Sequence, residues 1–235
     1  MAHLVQRARA NEIAARLNDV ACAVVAERTA ELGLAGAGVS GEYPSRVSRK
    51  DILGVNERYL CEYIATLAEF TEVLEVGSGF GGLPLLLGAM GMRSRGVEAM
   101  VSRHETAAAL RQAWGRVDPA GAGRVTLVNG RFPDVVANDD LSGSLVLVVD
   151  MLSDRMQGKV QAFVAALARG TAVIIEMSRF VERVNAPEKQ EELVYRLMEL
   201  GLGPAVDLFT SRGGRFVLFD KRKVAAVQSP GRAIG

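Results

Sequence analysis

The chain has 235 residues, 49% of them hydrophobic, and its 28 lysine and arginine residues nearly balance 27 aspartate and glutamate residues, giving a formal net charge of +1. This length favours one domain with an extension, and the near-neutral charge argues against a dedicated nucleic-acid binder. No apolar run approaches the roughly 18 uncharged residues of a membrane span, and two histidines with two unclustered cysteines argue against a metal site or a serine–histidine triad.

The N-terminal segment, residues 2–33, is predicted to be helical. Its apolar residues recur at steps of three and four, with arginine and glutamate between them, which is typical of one amphipathic helix or two in succession. A glycine-rich segment from Gly33 to Arg49 follows and carries Tyr43; we interpret it as a linker or a lid. Residues 1–49 are therefore assigned to a helical extension and lid. We expect a cytoplasmic protein, because the N-terminus turns charged too early for a signal-peptide core.

A second helix is predicted from Asn56 to Phe70, before the first predicted strand. Cys22 and Cys61 fall in helix-like stretches rich in alanine and leucine, without the short spacing of metal ligands. We expect both to be buried free thiols.

Short apolar strands alternate with helices over residues 50–223. Strands are predicted at Glu72–Val76, at a segment ending at Glu98, and within RVTLVNGRF, SLVLVVDM, TAVIIEMS and AVDLFTSRGGRFVLFDKR, the last containing two. Helices between strands imply parallel pairing, whereas the glycine turn between the last two strands implies an antiparallel pair. The predicted fold is α/β: a doubly wound, mostly parallel seven-stranded sheet with a C-terminal antiparallel hairpin and an N-terminal helical extension, followed by a tail over residues 224–235.

The stretch VLEVGSGFGG, residues 73–82, places four glycines directly after the first predicted strand. A glycine-rich turn between a strand and a helix lets a ligand approach bare backbone beside the unpaired amides of the helix N-terminus. Glu98 ends the next strand, where a carboxylate can accept hydrogen bonds from both ribose hydroxyls. The pair indicates a site for a nucleoside cofactor.

Two cofactors fit this pair of features. Gly77, Gly79 and Gly82 satisfy G-x-G-x-x-G, and Glu98 follows at about the 20-residue spacing of a nicotinamide-binding fingerprint. The same letters read as E-x-G-x-G-x-G from Glu75, which resembles motif I of the class I S-adenosylmethionine-dependent methyltransferases. The acid inside the first strand, the helical N-terminus and the C-terminal hairpin favour this second resemblance, which covers about residues 50–223.

The resemblance implies a set of cofactor-binding residues. The glycine turn would bend around the methionine moiety, Glu75 would lie near its amino group, and Glu98 would hold the ribose. The family often places an acid after the third strand to meet the adenine amine; this chain has Asn129 there, and Phe132 could flank the ring. The cofactor-binding set is Glu75, Gly77, Ser78, Gly79, Phe80, Gly81, Glu98, Ala99, Asn129, Gly130, Arg131, Phe132 and Asp150.

The resemblance also implies where methyl transfer would occur. Asp150 ends the fourth strand, which faces the transferable methyl in this family, and is expected to orient the acceptor or act as its base. Glu176 and Tyr43 are the other catalytic candidates, although Glu176 could instead form a structural salt bridge with Arg179 or Arg183. The cofactor is then S-adenosyl-L-methionine, and no metal is expected.

The acceptor is expected to be a small molecule carrying an oxygen or nitrogen nucleophile. A protein or RNA acceptor, a nicotinamide-dependent oxidoreductase and a non-catalytic S-adenosylmethionine-binding module remain alternatives. The charge balance argues against a nucleic-acid partner and the hydropathy against a membrane partner. The oligomeric state stays open, a homodimer included.

Overall fold

A computed structural model describes residues 2–31, 52–67, 70–149, 160–177, 190–211 and 214–223. The chain divides into two compact units, Met1–Arg131 and Phe132–Gly235. Among the described residues, no helix is both long and apolar enough to cross a membrane.

The described residues of the first unit form three parallel strands and five helices. Its strands are β1 (Glu72–Val76), β2 (Ser94–Glu98) and β3 (Val125–Asn129), and its helices are α1 (Ala2–Glu31), α2 (Val55–Ile64), α3 (Gly82–Ala89), α4 (Val101–Gly115) and α5 (Pro119–Gly123). Strand β2 pairs in parallel with β1 on one side and with β3 on the other. The carboxyl ends of these strands therefore lie at one edge, where ligands of such sheets bind.

The second unit carries the other four strands. Its elements are a short 3-10 helix (Asp134–Val136), β4 (Ser144–Val148), α6 (Val160–Leu167), β5 (Ala172–Glu176), α7 (Gln190–Leu197), a π-helical turn (Met198–Leu202), β6 (Ala205–Ser211) and β7 (Gly214–Asp220). Strand β4 pairs in parallel with β5, and β7 pairs antiparallel with both β5 and β6. The last two strands form the predicted antiparallel hairpin.

The sheet has seven strands, in the order β3-β2-β1 within the first unit and β4-β5-β7-β6 within the second. Every residue of β4 and of β5 is buried, which agrees with the apolar runs LVLV and AVII within them, since a parallel strand covered on both faces needs no polar side. The predicted fold class, with its mostly parallel sheet, C-terminal antiparallel pair and N-terminal helix, is confirmed.

The N-terminal extension is one continuous helix. Alanines and Leu17 recur along its buried side, at Ala10, Ala14, Leu17 and Ala21. Small side chains at this spacing let a helix approach its neighbours closely, and α1 contacts α2, α3 and α4 within the first unit. The boundary at residue 49 between an extension and a cofactor domain stays a prediction.

Three local expectations differ from the structure. Helix α2 ends at Ile64, before the predicted end at Phe70. Helix α5 was not predicted, because PAGAG has the composition of a turn; Asp118 caps it by accepting a hydrogen bond from the Gly121 N–H at 2.9 Å. Cys61 is buried as expected, but the expectation for Cys22 is wrong: it lies on the solvent side of α1 and is exposed.

Candidate functional site

The glycine-rich segment after β1 folds into a turn that is anchored to the neighbouring strand. The backbone N–H groups of Gly77 and Ser78 both donate to the Val97 carbonyl, at 2.8 and 3.0 Å. The Gly81 N–H then donates back to the Ser78 carbonyl at 2.8 Å, which closes the turn before α3 begins. The backbone is therefore fixed by hydrogen bonds within the protein, before any ligand binds.

Gly79 and Gly81 both have left-handed backbone conformations, with φ of +55° and +75°, but their surroundings differ. A Cβ on Gly81 would lie 3.2 Å from the Ala107 Cβ, whereas a Cβ on Gly79 would meet no atom of the described residues within 4 Å. Gly81 therefore allows the turn to pack against α4. The space beside Gly79 is open among the described residues, and we call it the Gly79 cradle.

Glu98 closes the cradle from the end of β2. Its side chain is only 6% exposed, and its Oε2 accepts a hydrogen bond from the Gly79 N–H at 2.8 Å while Oε1 accepts one from the Met100 N–H at 2.8 Å. A carboxylate has about four acceptor positions, two on each oxygen. Each oxygen thus keeps one acceptor position after organising the turn.

Two further polar side chains line the base of the turn. Glu75 lies in β1 and is buried, in register with Gly96 of β2. The Ser78 hydroxyl is also buried and lies over Gly96, where a Cβ would come within 2.6 Å of the Ser78 Oγ. Within the described residues, no hydrogen bond reaches that Oγ. A buried hydroxyl normally has a partner, so this one is consistent with a ligand or water on the turn.

Solved structures with the same arrangement of strands and helices exist. The chain matches an O-methyltransferase from Bacillus cereus in complex with SAH, at a TM-score of 0.54 and 14% identity, over 85% of this chain and 89% of that chain. It also matches the methyltransferase domain of bacterial CtHen1, at a TM-score of 0.52 and 19% identity, over 71% of this chain and 100% of that chain. The chain has the class I methyltransferase fold. No protein-family model matches the sequence, and no curated protein does.

At the third strand of this methyltransferase fold, Asn129 is partly committed within the protein. Its side-chain N–H donates to the Glu98 carbonyl at 2.9 Å, and the Gly130 N–H donates to the same oxygen at 2.9 Å. The Asn129 Oδ1 forms no hydrogen bond within the described residues and remains an acceptor. These two hydrogen bonds join the ends of β2 and β3, and the Asn129 Oδ1 beside them can still accept a hydrogen bond.

The two predicted residues after Gly130 differ in their surroundings. Arg131 is exposed. Phe132 belongs to the second unit, where its ring packs edge to face on Phe163 of α6, with centroids 5.1 Å apart and an interplanar angle of 73°. One side of that ring is therefore occupied by α6, and its role against a cofactor stays a prediction.

The other predicted residues fall into three groups. Phe80, in the turn, is half-buried, and Ala99, after Glu98, is exposed. Glu176 ends β5 in the second unit and is 6% exposed, so its carboxyl group is held inside the protein. Tyr43 and Asp150 lie outside the described residues, as do Arg179 and Arg183.

Two contributors to the site were not predicted from the sequence. Because Gly96 has no side chain, the Ser78 side chain can lie directly against strand β2. A glycine inside a strand is the sequence signal that could have indicated this close contact. The Met100 N–H orients the Glu98 carboxylate through its backbone, so no side-chain pattern could have revealed it.

Proposed function

We propose that this protein is an S-adenosylmethionine-dependent methyltransferase that acts on a small-molecule acceptor through an oxygen or nitrogen nucleophile. The observation that carries the proposal is a pair of buried acidic residues, Glu75 two residues before the glycine turn and Glu98 hydrogen-bonded to it, with open space at Gly79 among the described residues. The cofactor brings an ammonium and a sulfonium group to such a turn, and both cations are attracted by carboxylates in a poorly solvated place.

The acceptor positions left in the turn match the polar groups of that cofactor. Each Glu98 oxygen retains one acceptor position, which suits the two ribose hydroxyls. The Asn129 Oδ1 can accept a hydrogen bond from the adenine amine. Helix α3 begins at Gly82 with no side-chain cap, so its first amides can bind the carboxylate of the methionine moiety.

The Glu75 carboxyl group disfavours a nicotinamide dinucleotide. That cofactor places a doubly charged pyrophosphate over the glycine turn and the helix N-terminus. Glu75 lies two residues before Gly77 and is buried, so a pyrophosphate there would meet a like charge that solvent screens poorly. The charge around the turn thus separates two cofactors that the glycine spacing alone does not distinguish.

Methyl transfer requires the protein mainly to position the two reactants and to exclude water from the site. When bound, the cofactor supplies an electrophilic methyl on a sulfonium, whose leaving group departs neutral. The chain must hold the acceptor nucleophile about 3 Å from that methyl and exclude water. Asp150 is proposed to orient the acceptor or remove its proton, with Tyr43 and Glu176 as further candidates.

A small acceptor is supported by the charge balance. A net charge of +1 does not favour a polyanion, whose binding depends on neutralising many phosphates. The O-methyltransferase among the matched structures agrees with an oxygen nucleophile.

Calorimetric titration of the purified protein with S-adenosylhomocysteine and with NAD tests the proposal. We expect saturable binding of the first and none of the second, together with a rise in melting temperature from the first. Tighter binding of NAD would overturn the proposal. If S-adenosylhomocysteine binds but Asp150→Asn leaves turnover unchanged, the cofactor assignment stands and the catalytic one fails.

A further inference from the structure

We infer that Asn18, on α1, is a positioning residue for the cofactor turn, an inference that rests on the proposed function of that turn. Asn18 lies in the middle of α1 and is only 8% exposed. It is a polar residue in the packed side of a helix, a place normally taken by apolar side chains. A buried polar side chain needs hydrogen-bond partners, and the partners of Asn18 identify the segment that it positions.

The Asn18 carboxamide binds the backbone of the segment that precedes α2. Its Oδ1 accepts hydrogen bonds from the N–H groups of Ile52 and Leu53, both at 3.1 Å, and its Nδ2 donates to the Leu53 carbonyl at 3.4 Å. Ile52 and Leu53 belong to neither a helix nor a strand, so no regular ladder pairs these backbone groups. One side chain thus fixes a segment that has no secondary structure of its own.

The held segment forms one wall of the junction between the glycine turn and α3. A Cβ on Gly82, the first residue of α3, would lie 3.1 Å from the Ile52 Cδ1 and 3.3 Å from the Leu53 Cδ2. A Cβ on Gly81, the preceding residue, would lie 3.2 Å from the Ala107 Cβ of α4. The junction between the turn and α3 therefore packs against both α4 and the Ile52–Leu53 segment.

Because the junction between the turn and α3 packs against this segment, the geometry of the turn depends on the positions of Ile52 and Leu53. Losing the Asn18 carboxamide would leave buried N–H groups without an acceptor, and the segment would shift to reach water or another partner. The first amides of α3 and the Gly79 cradle would then lose their position. Helix α1 is in this sense part of the cofactor site, although Asn18 touches no cofactor atom.

The test compares Asn18→Leu with Asn18→Asp and Leu17→Val. Asn18→Leu removes every hydrogen bond at similar size, while Asn18→Asp keeps the oxygen that accepts from Ile52 and Leu53. Leu17→Val trims a fully buried neighbour on the same helix and controls for a general loss of stability. Calorimetry measures the Kd of S-adenosylhomocysteine at a temperature where melting curves show each variant folded.

We expect Asn18→Leu to raise this Kd roughly 2- to 30-fold, the range typical of residues that act on a site without contacting its ligand. Asn18→Asp should restore most of the affinity, and Leu17→Val should leave it within about twofold of the unmodified protein. An unchanged Kd in Asn18→Leu, or an equal loss in Leu17→Val, would overturn the inference. If Asn18→Leu does not fold, Asn18→Ser takes its place, since water can fill the smaller side chain's space.

Hydrogen exchange without ligand separates this inference from the proposed function. The Leu85 N–H donates to the Gly81 carbonyl at 3.1 Å and reports on the first turn of α3. Faster exchange there in Asn18→Leu than in Leu17→Val supports the positioning role even if the protein binds no S-adenosylhomocysteine. Equal exchange in the two variants would contradict it.

Discussion

Two glycine-rich contacts in the first unit use the same residue type for opposite purposes. In the turn after β1, a Cβ on Gly79 would meet no atom of the described residues within 4 Å, which leaves the space where the cofactor is proposed to bind. Where α3 meets α5, a Cβ on Gly88 would lie 2.6 Å from both the Gly121 carbonyl oxygen and the Val125 Cγ2, so its missing side chain leaves room for the protein itself. A glycine count cannot distinguish the two; the neighbouring atoms do.

The largest effect on folding is expected at the helix contact. Gly88→Ala places a methyl against a backbone oxygen that cannot move aside, which should destabilise the protein by about 3 kcal/mol, at the upper end of typical overpacking. Chemical denaturation measures this. Gly123→Ala in α5, where a Cβ meets nothing within 4 Å, is the control and should be neutral or slightly stabilising. Equal effects from the two substitutions would mean that the α3–α5 contact is not tight.

Glu98→Ala should cause the largest loss of cofactor affinity. Removing a carboxylate that accepts from Gly79 and Met100, and is proposed to accept from the ribose, should cost about 1.5–3 kcal/mol of binding free energy for S-adenosylhomocysteine. Calorimetry measures the loss. Glu105→Ala, which removes a 52% exposed side chain paired with Arg28, is the matched control and should leave affinity unchanged. Wild-type affinity in Glu98→Ala would refute the ribose assignment.

Gly79→Ala tests whether the open cradle is a ligand site. An L-residue at φ +55° costs roughly 1–2 kcal/mol of stability, and the new methyl would occupy the cradle. Gly91, at φ +101° and also without neighbours within 4 Å, provides the matched control. We expect Gly79→Ala and Gly91→Ala to lower stability similarly, while only Gly79→Ala weakens S-adenosylhomocysteine binding. Equal binding by both variants would place the ligand elsewhere.

The smallest expected effect is on the stability of the fold, at Asp220 in β7, which is distant in sequence from the turn. Burial raises the pKa of Asp220, but hydrogen bonds from the Arg222 side chain and backbone N–H outweigh it, and the net pKa is lowered. A carboxyl group with a lowered folded-state pKa stabilises the fold above its unfolded-state pKa and loses this contribution as pH falls through the folded value.

Asp220→Asn should therefore cost less than about 1 kcal/mol at pH 7. The difference from the unmodified protein should shrink below about pH 4, without any change in cofactor affinity. Denaturation curves at several pH values measure this difference in the free energy of unfolding. A stability difference that grows as the pH falls would contradict the assigned pKa direction.

Much of the fold could be predicted because the apolar patterns are local and strong. The boundaries of β1 match its predicted span, and β2 ends at Glu98 as predicted. The misses occurred where local composition is ambiguous: PAGAG became a helix only because Asp118 caps it and α3 and α4 pack against it. Cys22 was expected inside because its stretch is rich in alanine, but the buried side of α1 follows Ala10, Ala14, Leu17 and Ala21.

The sequence by itself determined the order of strands and helices, the glycine turn after β1 and the acids that flank it, because these features depend on neighbours within a few residues. Only the tertiary structure decided which glycine faces open space and which faces another helix, that Glu98 already holds the turn, and that Asn18 reaches Ile52 and Leu53. Those contacts join residues far apart in the chain, and no local pattern records which distant atoms will fill the space beside a given side chain.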